Sequence, residues 1–189
     1  MHLQEGPIDL VIGVQASNAA TAEAYDRMNS AFTGVLQDLV SELGFLRQPV
    51  SLQVRRSTDD SAVCPVKGVV ARSMWQSCSR LLDLADEHKE LQCLTEPLTA
   101  MAGVAGAVAD HVLAAGKVVP GVEKAWVNNG GDIAVHVTGN SVFNCGIVGP
   151  AKLPANKYST DPLFEEPGSG RQICIRETDG VGGLSLIHI

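Results

Sequence analysis

Apolar residues recur along the first part of the chain at the spacings expected of strands and helices. A β-rich run at residues 8–14 predicts a first strand. From Ser17 to Gly44 apolar side chains recur every third or fourth residue, which predicts one long amphipathic helix. Ser17 or Asn18 can cap its start, and Gly44 suits a left-handed C-terminal position. An alternating run at residues 50–56 predicts the next strand.

The chain continues with two helices and then a group of strands. Residues 69–84 repeat apolar side chains at helical spacing, and a third helix is predicted from near Pro97 to Gly116. Four strands are predicted after it, at residues 124–129, 132–139, 141–149 and 172–177. Helices first and neighbouring strands afterwards indicate an α+β fold with two layers, in which helices pack on a largely antiparallel sheet.

The inward positions of the third helix are nearly all Ala, Gly and Val. Because such side chains fill little space, this helix must lie very close to a neighbouring backbone or to a ligand. We expect Gly103 and Gly106 to contact the hairpin predicted at residues 126–133.

An abrupt apolar tail, LSLIHI at residues 184–189, has no turn, cap or closing charge. Its codons can be read from CTGTCTCTTATACACATC, the end sequence of a common transposase-based library adapter. We therefore expect adapter read-through at 184–189 and a single, C-terminally truncated domain over residues 1–183. A natural final strand is the alternative.

Composition narrows the class of protein. With 45% hydrophobic residues, the 189-residue chain can bury one core. Its 14 Lys and Arg against 21 Asp and Glu give a net charge of −7 without a basic cluster, which argues against nucleic-acid binding. The start lacks a signal-peptide pattern, and the run AMAGVAGAVA is too short to span a bilayer. Five scattered cysteines without a CxxC pair indicate reduced thiols, so we expect a cytoplasmic protein. We expect no membrane contact. The protein could form a homo-oligomer, which the sequence does not decide.

Common catalytic signatures are missing from the sequence. It contains no Ser-His-Asp spacing, Walker loop, HExxH or GxGxxG, so catalytic and metal-binding residues stay unassigned. The histidines His88, His111 and His136 occur singly, and the strand period predicts that His136 points to solvent. Asp9 is predicted to be a carboxylate at the edge or surface of the first strand.

Five turn-favouring residues occur in succession, which is more than a hairpin needs. They are Asn128, Asn129, Gly130, Gly131 and Asp132. One Asn-Gly pair suffices for a two-residue turn. The additional residues, together with Gly106 and Asp110 on the helix, are consistent with an exposed stretch of backbone that contacts a nucleotide. A structural hairpin packed on a tight helix explains the same residues, and both readings stay open.

Four blocks of sequence carry a resemblance to a known group of proteins. The blocks GPIDLVIGV, LRQPV, PLTAMAGVAGAVAD and VNNGGDIAVHV are similar, in order and spacing, to the ApbE-like superfamily. Its namesakes are FAD:protein FMN transferases, formerly called thiamine-biosynthesis lipoproteins. The resemblance covers nearly the whole chain to Gly183 and is closest to a cytosolic bacterial and archaeal branch. It implies an ApbE-like fold that is incomplete at the C-terminus.

The resemblance implies which residues meet a ligand. In the transferases a motif Asn-x-Gly-Gly-Asp lies between two strands beside the flavin. It maps onto Asn128, Gly130, Gly131 and Asp132. A helix motif Lys-Gly-x-x-x-Asp packs under it and maps onto Gly106 and Asp110. Ala105 occupies the place of the lysine, so a cation that could meet a phosphate is replaced.

The resemblance also implies a function and leaves an alternative. The implied function is binding of FAD, a small nucleotide ligand, with Mg²⁺-dependent transfer of FMN from FAD to a protein hydroxyl. This chain would be inactive as a transferase, because the block that supplies Mg²⁺ ligands in the transferases follows Gly183. The alternative is a non-catalytic ligand-binding or scaffold protein on the same fold. The replacement of the lysine favours the non-catalytic role, and the retained Asn-x-Gly-Gly-Asp motif favours FAD binding with FMN transfer.

Overall fold

The computed structural model describes residues 1–50, 64–87, 97–139, 141–147, 171–176 and 184–186. Beyond Val50, the strand expected at residues 50–56 lies outside these ranges. Within them, no helix combines the length and apolar character needed to cross a membrane.

The strands form two antiparallel sheets. The main sheet has five strands in the order β1, β2, β3, β4, β7, and a separate pair is formed by β5 and β6. Their bounds are β1 His2–Glu5, β2 Ile8–Gln15, β3 Lys124–Asn129, β4 Asp132–Val137, β5 Val142–Ile147, β6 Arg171–Arg176 and β7 Leu184–Leu186. The strands predicted at residues 8–14, 124–129, 132–139, 141–149 and 172–177 are confirmed to within two residues at either end, and β1 is an addition. The pairing of β7 with β4 does not test the adapter origin of the tail, which stays a prediction.

The helices precede most of the strands, and the predicted α+β fold is confirmed. They are α1 Asn18–Phe32, α2 Val35–Ser41, α3 Leu43–Leu46, α4 Val69–Glu87 and α5 Val104–Lys117, with a 3-10 turn at Ala100–Gly103 before α5. Helix α5 packs against β3 and β4, and it also contacts α1 and α4. It is therefore the central helix of the fold.

The single long helix predicted from Ser17 to Gly44 is wrong. Ser17 does cap α1, since its Oγ accepts a hydrogen bond from the Ala20 backbone N–H at 3.3 Å. However, α1 ends at Phe32 with Thr33 as its C-cap, and Gly34 follows with φ 86°, a left-handed conformation that interrupts the helix. Gly44 lies inside α3 instead of ending a helix. The apolar spacing continues across the break because Phe32 before it and Val35 and Leu39 after it are all buried.

The helices cover one face of the main sheet. On β2 and β3, every second side chain is buried against them. These residues are Ile8, Leu10, Ile12, Ala125, Val127 and Asn129. On the other face, the Trp126 ring lies across Gly13 and contacts Phe143 of β5, with ring centroids 5.7 Å apart. The aromatic pair joins the β5–β6 sheet to the main sheet.

Small residues let α5 approach its neighbours closely, as predicted. A Cβ placed on Gly103 would lie 3.6 Å from the Met74 Cα on α4. The Cβ direction of Gly103 therefore faces α4, and the expected contact of this glycine with the hairpin stays a prediction. At the other end of α5, a Cβ on Gly116 would overlap the Met28 side chain, whose Cγ would be 2.8 Å away. Close packing on α1 and α4 accounts for much of the small-residue composition.

Candidate functional site

The β3–β4 hairpin turns through two glycines. Asn129 pairs with Asp132, so Gly130 and Gly131 form the two-residue connection between the strands. Their φ angles are 62° and 114°, and positive φ at both central residues is what a type I′ hairpin turn requires. The predicted hairpin is confirmed, with the two asparagines placed at the end of β3 instead of in the turn.

Asn128 stabilises the turn from within. Its Oδ1 accepts a hydrogen bond from the Gly131 backbone N–H at 2.9 Å. Side chains of asparagine commonly make such local bonds to backbone groups in turns. The Asn128 oxygen is therefore used by the hairpin itself.

Asn129 joins the hairpin to α5. Its side chain is on the helix-covered face and only 9% exposed, which makes it the one buried polar residue in the described ranges. Its Nδ2 donates a hydrogen bond to the Ala105 backbone carbonyl at 3.1 Å. Gly106 follows Ala105 directly in the chain. This bond therefore places the end of the hairpin beside the first turn of α5, and the two predicted motifs come together.

The tip of the hairpin is open. Gly130 is exposed, and a Cβ added to it would meet no heavy atom within 4 Å. Asp132 is half-buried and pairs with Asn129, which places both side chains on the helix-covered face. We call Gly130, Gly131, Asp132, Gly106 and Asp110 together the hairpin–helix surface.

Asp110 adds a perturbed carboxylate to this surface. It lies one turn after Gly106 on the same side of α5 and is half-buried. Burial raises the pKa of the Asp110 carboxyl above its ordinary value of 3.8, while the positive charge of Lys117 partly lowers it. Sequence reasoning missed Lys117, although its spacing of seven residues from Asp110 places it on the same side of the helix.

The raised pKa predicts a pH-dependent effect of replacing Asp110. An acid with a raised folded-state pKa is harder to ionise in the folded state, so ionised Asp110 lowers stability above that pKa. We expect Asp110→Asn to stabilise the protein at pH 7, with a gain that shrinks as the pH falls toward 3.8. Urea unfolding across this pH range, with Asp38→Asn as an exposed control, measures the gain. A gain that does not change with pH would contradict the assignment.

One histidine is placed differently from the sequence prediction. His136 does not point to solvent. It pairs with Ala125, and its Nε2 is buried on the helix-covered face, because the strand period left the choice of face open. His88 lies outside the described residues. Asp9 is confirmed as an exposed surface carboxylate, 2.5 Å from the His2 Nε2.

Two described cavities lie away from the hairpin–helix surface. One has a volume of about 190 Å³ and is lined by Thr33, Asp38, Val69 and His111 among others. This is smaller than the roughly 300 Å³ at which cofactor pockets begin. The other is an open groove between α1 and the end of α5.

No metal cluster is found in the described ranges, where no three His, Cys, Asp or Glu residues are grouped to hold an ion. Cys64 and Cys78 are free thiols, as predicted, and burial raises the pKa of the Cys78 thiol. The other three cysteine side chains lie outside the described part of the chain.

Comparison with known proteins places the chain in a family. No curated protein matches it. A family model described as AbpE bacteria matches residues 1–185, which include the main sheet through β4, α5 and the hairpin. The chain belongs to the AbpE bacteria family.

Proposed function

We propose that the protein binds a flavin nucleotide, FAD, at the hairpin–helix surface. The observation that carries the proposal is the space beside Gly130: among the described residues, no heavy atom lies within 4 Å of the position that a Cβ would take. A bare backbone lets a flat ring or a pyrophosphate approach main-chain N–H groups closely. We also propose that the family is a branch of the ApbE-like superfamily, because the chain carries the Asn-x-Gly-Gly-Asp motif and the glycine and aspartate of the helix motif.

The polar residues of the hairpin and of the neighbouring part of α5 form two groups. Asn128 and Asn129 are held by bonds within the fold, to Gly131 and Ala105 respectively. Asp132 and Asp110 are the two carboxylates of the hairpin–helix surface. We propose that Asp132 accepts hydrogen bonds from the ligand, as a carboxylate has acceptor capacity for a sugar hydroxyl or ring N–H.

Mg²⁺ fits this surface only together with a phosphate ligand. The ion is commonly held by one or two carboxylates plus substrate phosphates, without a protein cage. Asp110 and Asp132 can supply those carboxylates, which agrees with the lack of a three-residue cluster among the described residues. When bound, Mg²⁺ would offset the pyrophosphate charge near a protein of net charge −7.

We propose Mg²⁺-dependent transfer of FMN from FAD to a protein hydroxyl as the activity of the site. The hydroxyl oxygen would bond to the FMN phosphorus, the pyrophosphate P–O bond would break, and AMP would leave with its electron pair. The hydroxyl proton would pass to solvent. The protein's part in such a reaction is positioning and charge stabilisation.

A non-catalytic ligand-binding or scaffold role is the second candidate. Ala105 stands where the transferases have a lysine, and in the structure its backbone carbonyl holds Asn129. Ala105 therefore contributes a backbone hydrogen bond to the fold and supplies no positive charge for a phosphate. FAD binding without FMN transfer would favour this candidate.

Substitutions on the hairpin test the location of the flavin site. We expect Gly130→Val and Asp132→Ala each to weaken FAD binding by about 1–3 kcal/mol, or roughly 5- to 150-fold in Kd. The valine blocks close approach, and the alanine removes a polar anchor. Titration of FAD fluorescence with Mg²⁺ present measures both.

Gly139→Val provides a matched control. Gly139 has φ 60°, close to the 62° of Gly130, and a Cβ there would also meet nothing within 4 Å. It follows the far end of β4, so it carries the same backbone strain away from the proposed site. Equal losses of FAD affinity at Gly130 and Gly139 would show that strain, and not ligand contact, causes the effect.

A further inference from the structure

We infer that Asn129 is a positioning residue of the proposed flavin site, acting through Ala105 without touching the ligand. This inference rests on the proposed function for its effect on FAD. Its structural part, that the Asn129 side chain fixes the hairpin on α5, stands on the geometry alone.

The surroundings of Asn129 fit a structural bond. The side chain is 9% exposed, and its cross-strand neighbour on β2, Leu10, is fully buried. A buried amide in such apolar surroundings needs its hydrogen bond, because an unsatisfied polar group is costly there. The bond from Nδ2 to the Ala105 carbonyl meets this need. The amide nitrogen is therefore directed into the protein and away from a ligand at the hairpin tip.

The bond sets the spacing between the two halves of the hairpin–helix surface. Asn129 precedes Gly130 at the hairpin tip, and Ala105 precedes Gly106 on α5. A ligand that contacts both halves binds more tightly when their spacing is fixed before it arrives. Weakening the bond should therefore reduce affinity although every ligand-contacting residue is kept.

The two neighbouring asparagines use opposite ends of their amides. Asn129 donates through nitrogen to a carbonyl, whereas Asn128 accepts through oxygen from the Gly131 N–H. Aspartate keeps the acceptor and removes the donor. Asn128→Asp should therefore retain its bond, while Asn129→Asp should place two oxygens against each other. The same change of one atom and one charge thus has opposite consequences at adjacent positions.

Hydrogen exchange of the ligand-free chain tests the structural part. We expect Asn129→Asp to speed exchange about tenfold in the hairpin and the first turn of α5, and Asn128→Asp to change it by less than about twofold. Peptide-resolved mass spectrometry reads these segments separately from α4. Unchanged exchange in Asn129→Asp would overturn the inference. If that variant does not fold, Asn129→Ala removes the donor without adding a charge and takes its place.

FAD titration of the same variants tests the effect on the ligand. We expect Kd to rise about tenfold for Asn129→Asp, and by a smaller factor for Asn129→Ala, which adds no charge. Equal Kd values for the wild type and Asn129→Asp would overturn the positioning role. If the wild type binds no FAD while Asn129→Asp shows the faster local exchange, the proposed function fails and the structural bond stands.

Discussion

Replacing Gly116 with valine is expected to destabilise the fold by about 1–3 kcal/mol through overpacking. The added Cβ would overlap the Met28 side chain, which is fully buried on α1. Valine has a better helix propensity than glycine, but that gain is only a few tenths of a kcal/mol. The clash outweighs this gain, so we expect the free energy of unfolding to fall. Urea unfolding measures the change.

A double-mutant cycle with Met28→Ala separates overpacking from a general loss of stability. Met28→Ala alone should cost about 2–5 kcal/mol, because it leaves a cavity in the core. In the double variant the valine occupies part of that cavity. The loss of stability should therefore be smaller than the sum of the two single losses by about 1 kcal/mol or more. Strict additivity of the two substitutions would contradict the contact between α1 and α5.

Glu42→Ala is expected to cost about 1.5–3 kcal/mol, the range for a hydrogen bond to a charged group. The Glu42 carboxylate accepts hydrogen bonds from the Lys67 and Gly68 backbone N–H groups, at 2.7 and 2.6 Å. It thereby holds the segment before α4 to the start of α3. The Lys67 side is exposed, so water can replace one of the two bonds, and the cost stays within the range for a single bond.

Glu23→Ala is the matched control for this substitution. Glu23 forms an exposed i, i+4 ion pair with Arg27 at 2.7 Å, a type of contact worth about 0.3–0.5 kcal/mol. Thermal or urea unfolding of the two variants compares the same chemical change in two settings. Similar losses in both would show that the Glu42 bonds contribute no more than a surface ion pair.

Local periodicity predicted the elements better than it predicted their interruptions. The strand β3 matches its predicted bounds because its side chains alternate between a covered and a less covered face. The break at Gly34 was missed because Phe32, Val35 and Leu39 are all buried, so the apolar spacing continues across it. The sequence showed a glycine there without showing that its φ is positive.

Long-range contacts are the part of the candidate site that the sequence could not predict. The bond from Asn129 to the Ala105 carbonyl joins residues 24 positions apart, and periodicity along the chain does not signal it. The Glu42 contact joins residues 25 and 26 positions apart, and nothing in its surroundings signals it. His136 was assigned to the wrong face because period-two alternation leaves the covered face unspecified.

The most direct test of the central claim is a titration of FAD fluorescence with the wild-type chain, once with Mg²⁺ and once with EDTA. We predict weak but saturable binding that is tighter with Mg²⁺, because the metal would offset the repulsion between the pyrophosphate and a protein of net charge −7. FAD fluorescence that shows no saturable change under either condition would contradict flavin-nucleotide binding at the hairpin–helix surface.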